Sequence, residues 1–133
     1  MNIDINNDTS KNPSILLVED DEVTSYMLEY LLQREGYNVT SVRDGKQALD
    51  VISNNPPFNL ALLDVMIPYI SGFELISHIH SLPNGDKTAV IMLSSKSQER
   101  DIIKALKAGA SDYIIKPFQT GEILARIHKS AYN

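Results

Sequence analysis

The sequence predicts an α/β fold, a (βα)₅ chain whose five strands make one doubly wound parallel sheet. Two observations carry this. Five short apolar runs recur at intervals of about one βα unit: Ile15 to Val18, Tyr37 to Val42, Leu60 to Leu63, Ala89 to Leu93 and Asp112 to Ile115. Between them, apolar residues fall three and four apart, the period of an amphipathic helix. Strands that are nearly all apolar and alternate with helices need cover on both faces, which is the setting of a parallel sheet. A length of 133 residues, 43% of them hydrophobic, suits one core and one globular domain.

In chain order, Met1 to Pro13 is polar and reads as a disordered tail ahead of a domain spanning 14–133. It lacks the basic start and apolar middle of a secretory signal. The first helix is expected to bury Val23, Met27, Leu28, Leu31 and Leu32 and to stop at Gly36. The second carries Ala48, Leu49 and Ile52 and is closed by Asn54-Asn55-Pro56-Pro57. The third runs from Phe73 to Ser81, with Gly72 supplying the freedom to turn into it. Ile102, Ile103 and Leu106 mark the fourth, which ends at Gly109, and Ile123, Leu124 and Ile127 mark the fifth. His78 and His80, two apart on a helix, point in different directions and do not make a metal site.

Composition removes several function classes. The longest apolar runs are a few residues, against the roughly 20 needed to cross a bilayer, so no membrane span is expected and a cytoplasmic location follows by default. The chain has no cysteine, which excludes disulfides and thiolate metal sites. A formal charge of −5 without a basic cluster argues against direct nucleic-acid binding by this segment.

Open parallel sheets place their functional crevice beyond the carboxyl ends of the strands. There the first strand runs into Glu19-Asp20-Asp21, the third into Asp64, the fourth into Ser94-Ser95 and the fifth into Lys116-Pro117. Clustered carboxylates repel one another, and the ion that relieves this is a hard divalent cation. Mg²⁺ typically takes one or two carboxylates and completes its shell with water and phosphate oxygen. An Asp carboxylate can accept a phosphoryl group, and that transfer needs positioning and charge neutralisation more than acid or base groups. In this scheme Asp64 is the nucleophile, while Asp20 and the Met66 carbonyl hold Mg²⁺, with Glu19 acting mainly through water. Lys116 pairs with Asp64 and then with the phosphoryl oxygens, and Ser94 donates to the phosphoryl group. The plainer readings are a turn cap for Asp64 and a helix N-cap for Ser94. A dinucleotide site would want a glycine-rich turn where this chain has three acids.

The segments Leu16 to Glu22, Leu63 to Pro68 and Ala108 to Phe118 resemble the response-regulator receiver family, and the resemblance extends from about Ser14 to Ala131. It implies the flavodoxin-like strand order 2-1-3-4-5, a cis peptide at Lys116-Pro117, and Asp21 as the cap of the first helix. It further implies a signalling switch rather than an enzyme with an external substrate. The phosphodonor would be a sensor histidine kinase or a histidine phosphotransfer protein, and the target a downstream protein or an output domain outside this segment. The family's switch pairs a hydroxyl with an aromatic ring, here Ser94 and Tyr113, while Lys96 would govern water access during dephosphorylation. Gly121 to Ile127 resembles receivers that dimerise through helix four, strand five and helix five. Asp112 and Arg126 fall where those receivers form an intermolecular ion pair, but Ile102, Ala108 and His128 replace other charges of that surface. The state implied is a monomer or a phosphorylation-dependent homodimer, with a plain surface pair as the alternative reading of Asp112 and Arg126. A phosphohydrolase of related chemistry would have a second Asp where Met66 stands. Docking without phosphorylation is the competing function, and the complete set of Asp20, Asp64, Ser94 and Lys116 argues against it.

Overall fold

A computed structural model of the chain describes residues 12–132. Most of the expected tail, residues 1–11, lies outside the described residues. Pro13 is buried, its carbonyl accepts from the Asn38 amide at 3.0 Å and the Asn12 carbonyl from Asn38 Nδ2 at 3.5 Å, so contact with the fold reaches two residues into that stretch.

The strands are β1 (Ser14–Val18), β2 (Asn38–Val42), β3 (Leu60–Asp64), β4 (Ala89–Ser94) and β5 (Asp112–Ile115). The helices are α1 (Glu22–Arg34), α2 (Gly45–Asn54), α3 (Gly72–Ser81), α4 (Glu99–Lys107) and α5 (Thr120–Ala131), with a 3-10 turn at Gly85–Lys87. All strand pairs are parallel, and the sheet runs 2-1-3-4-5 as the resemblance implied. Period-two alternation divides the strand side chains between two cores. Leu16, Val18, Ala61, Leu63, Val90 and Met92 face α2, α3 and α4. Ile15, Leu17, Leu60, Leu62, Ile91 and Leu93 face α1 and α5. Because both sets are buried, β1, β3 and β4 read as unbroken apolar runs.

Three local expectations are corrected. In α1 the buried residues are Ser25, Leu28 and Leu32, whereas Val23 is 77% and Met27 39% exposed. Together with Tyr26 and Tyr30 they give the solvent side of this helix an apolar stripe, so hydrophobic spacing alone misplaced its inner face. Tyr37 is not in β2. Its amide donates to the Leu32 carbonyl at 3.2 Å and closes α1 beyond Gly36, whose φ of 92° is the left-handed conformation expected after a helix end. Gly72 is the first residue of α3, capped by Ser71, and its φ is not left-handed. What requires glycine is space: a Cβ there would sit 2.7 Å from the Asp64 carbonyl oxygen and 2.8 Å from Met92 Cε.

The chain reverses its direction of progress across the sheet at the adjacent strands β1 and β3. The crevice of an open α/β sheet lies beyond the carboxyl ends at this point.

Candidate functional site at the carboxyl rim of the sheet

Register brings the polar strand ends together. Val18 pairs with Leu63, so Glu19 and Asp64 emerge side by side, and Asp64 pairs in turn with Leu93, the neighbour of Ser94. On the far side Ser94 pairs with Ile115, and the Lys116 amide donates to the Ser94 carbonyl at 2.8 Å. The Lys116-Pro117 peptide is cis.

Glu19 is 1% and Asp64 8% exposed, while Asp20 is open to solvent. One carboxylate oxygen from each of the three lies within 4.8 Å of the others, a spacing at which a single divalent cation could be held. Lys116 Nζ bridges two of them, donating to Glu19 Oε1 at 2.7 Å and to Asp64 Oδ2 at 2.9 Å. The remaining oxygens are engaged locally: Asp64 Oδ1 accepts from the Met66 amide at 3.0 Å and Glu19 Oε2 from the Asp21 amide at 3.0 Å. Among the described residues, no buried side-chain polar atom lacks a partner.

Burial and pairing pull these groups in opposite directions. For Glu19 burial dominates, and the carboxyl is pushed above its ordinary range despite the hydrogen bond from Lys116. For Lys116 burial disfavours the charge, but the hydrogen bonds to Glu19 and Asp64 together outweigh it and raise the ammonium pKa. Asp21 is lowered, first by the Thr24 hydroxyl and then by the Thr24 amide, which donate to its Oδ2 at 2.6 Å and 2.8 Å. It caps α1 as expected and is not one of the clustered acids.

Ser94 does not cap α4, which begins after Gln98. Its Oγ accepts from the Lys96 amide at 3.0 Å, and the Lys96 carbonyl accepts from the Tyr113 hydroxyl at 2.7 Å. Both residues of the expected switch therefore meet on the backbone of Lys96. Arg126 Nη1 pairs with Asp112 Oδ1 at 2.9 Å within one chain, and Arg126 Nη2 reaches Glu122 at 3.4 Å. The Met66 side chain is 64% exposed, leaving its backbone as the part that belongs to the site.

Sequence reasoning missed three features: the Glu19–Lys116 pair, the junction at Lys96, and Lys104 Nζ resting 4.4 Å over the Phe73 ring. The last joins residues of two different helices that no sequence spacing links.

A family model for the response regulator receiver domain matches residues 15–128. The chain belongs to this family. As a receiver it is similar to the transcriptional regulatory protein CpxR of Escherichia coli, with 42% identity over 85% of this chain and 47% of that protein. It is also similar to the phosphate regulon regulatory protein PhoB of Rhizobium meliloti, with 36% identity over 86% of this chain and 50% of the relative. The chain thus spans about half the length of the curated relatives it matches. Among solved structures it resembles the receiver domain of sensor histidine kinase PA1611 from Pseudomonas aeruginosa. The TM-score is 0.82 and the identity 30%, over 92% of this chain and 99% of the other, and that structure has a magnesium ion coordinated in its active-site cleft. No helix among the described residues is long and apolar enough to cross a membrane.

Proposed function

We propose that residues 14–133 form the receiver unit and that Asp64 accepts a phosphoryl group in a Mg²⁺-dependent reaction. The observation that carries the reading is the convergence on Asp64 of two further carboxylates and one ammonium at the end of a buried strand. Glu19, Asp20, Asp64 and the Met66 carbonyl would hold the ion, which supplies charge neutralisation at the phosphoryl oxygens. An Asp64 carboxylate oxygen forms the new bond to phosphorus as the donor's leaving group departs with its electron pair. Lys116, already paired with Asp64, follows the charge onto the phosphoryl oxygens. Ser94 exchanges the Lys96 amide for the phosphoryl group. That frees Tyr113 to turn and re-form the surface of α4, β5 and α5, the output reaching a downstream protein or an attached output domain. A sensor histidine kinase or a histidine phosphotransfer protein is the physiological donor in this reading, and the protein remains a switch that transforms no external substrate.

The test is mass spectrometry of the intact protein incubated with acetyl phosphate and Mg²⁺. Wild type should gain one phosphoryl group and Asp64→Asn none; undiminished labelling of the variant would remove Asp64 from its role. For the α4, β5 and α5 face, the Asp112–Arg126 pair would be exchanged between copies on dimerisation. Sedimentation of the phosphorylated protein at monomer mass would discard that element.

A further inference from the structure

Beside Asp64 the rim holds a cavity of about 510 Å³ that the steps above leave unused. Its lining includes Asp20, Met66, Tyr69, Phe73, Lys96 and Lys104. Asp20 shares the carboxylate cluster with Asp64, and the Met66 amide donates to Asp64, so the cavity adjoins the nucleophile. Its electrostatics differ from those of the cluster next to it. Lys116 pairs with Glu19 and Asp64 and is committed to the phosphoryl oxygens, and a carboxylate released beside Glu19, Asp20 and Asp64 would meet like charge. Lys96 and Lys104 answer this from the cavity wall, because neither forms an ion pair among the described residues. Lys104 Nζ is positioned over the Phe73 ring, and the backbone of Lys96 is fixed at both ends by Ser94 and Tyr113.

We propose that this cavity is a leaving-group subsite in which Lys104, with Lys96, receives a carboxylate, giving the receiver a preference for acyl phosphates among small donors. The inference rests on the reading of Asp64 as acceptor. With an acyl phosphate, the bond from phosphorus to the acyl oxygen breaks and its electron pair leaves as the carboxylate. The new bond runs from an Asp64 oxygen to phosphorus, and no proton has to move. With phosphoramidate, the nitrogen is already protonated and departs as neutral ammonia, which offers a lysine no charge. Lys104 is therefore a specificity-determining residue that distinguishes donors by the charge of what they leave behind.

The experiment measures second-order labelling rate constants with acetyl phosphate and with phosphoramidate, both with Mg²⁺, for wild type, Lys104→Met and Lys104→Arg. Met keeps an unbranched side chain beside Phe73 and removes the charge. The Met variant should lower the acetyl phosphate constant about two- to fivefold, the scale of one exposed ion pair, and leave the phosphoramidate constant unchanged. Arg should behave as wild type, and the wild-type preference should shrink as ionic strength rises. Equal losses with both donors, or no loss with either, would overturn the subsite. Absence of labelling from both donors in wild type would instead remove the Asp64 reading on which it rests.

Discussion

The two ends of the sheet are built from the same five strands and have opposite character. At the carboxyl rim, Glu19, Asp64, Ser94 and Lys116 are held by short polar contacts among strand ends and loops. At the amino rim, between α2 and α3, lies a cavity of about 350 Å³ with Leu16, Ile52, Pro57, Ala61 and Ile79 in its lining, and the nearby Thr88 hydroxyl is spent on the Phe58 carbonyl at 2.7 Å. The interiors of β3 and β4 between the rims are fully apolar. Packing and the proposed chemistry thus fall to different residues of one strand: in β3, Leu60 to Leu63 hold the core and Asp64 joins the polar cluster at its end. Substitutions in the interior should therefore act on stability, and those at the rim on chemistry.

The largest stability effect is expected in the interior. Leu62→Ala removes a fully buried side chain from the α1 and α5 face and should cost about 2–5 kcal/mol in urea denaturation, with labelling of the remaining folded protein intact. Gly72→Ala joins the two behaviours, since its Cβ would press on the Asp64 carbonyl. A loss of about 1–3 kcal/mol together with slower phosphoryl acceptance is expected, and loss of stability with normal labelling would show that the contact does not reach the site.

Glu19→Gln tests the rim alone. Because burial raises the Glu19 carboxyl above its ordinary 4.5, the folded protein holds that proton more tightly than the unfolded chain does. Its contribution to stability is present below that value and lost as pH rises through the folded one. With a chelator present, wild type should lose stability relative to Glu19→Gln as pH rises above about 4.5, until the buried carboxyl has ionised, and a pH-independent gap would mean that the Lys116 pair dominates instead. The smallest effect belongs to Arg126→Ala. Its pair with Asp112 is part-exposed, and thermal or urea denaturation should register about 1 kcal/mol or less.

The same division explains what the sequence made legible. The interiors of β1, β3 and β4 are unbroken apolar runs, and β2 and β5, shorter in apolar residues, were legible from their spacing, while the acids, hydroxyl and cation stood at the strand ends in readable positions. Helix faces were less secure. In α1 apolar residues occur on both sides, and only the packed sheet decides that Leu28 and Leu32 go inward while Val23 and Met27 stay out. Gly72 was legible as a glycine with a purpose, but its purpose lies in the closeness of Asp64 and Met92, which tertiary packing alone sets. The partners of Lys116 illustrate the same limit. Pairing with Asp64 was expected, whereas the bond to Glu19, the shorter of the two, depends on how far β1 and β5 ends converge across β3 and β4.

The missing side chain at Gly72 also has a mechanical meaning. With the first turn of α3 seated directly on the backbone of Asp64, and the Gly72 amide bonded to the Val65 carbonyl at 3.0 Å, there is no slack between strand end and helix. A displacement of the Asp64 peptide by more than a few tenths of an ångström must be taken up by α3 as a body, because close-packed interiors transmit strain. The end of β3 and the start of α3 therefore behave as one stiff part, and the β3–α3 loop between them can rearrange only around fixed ends.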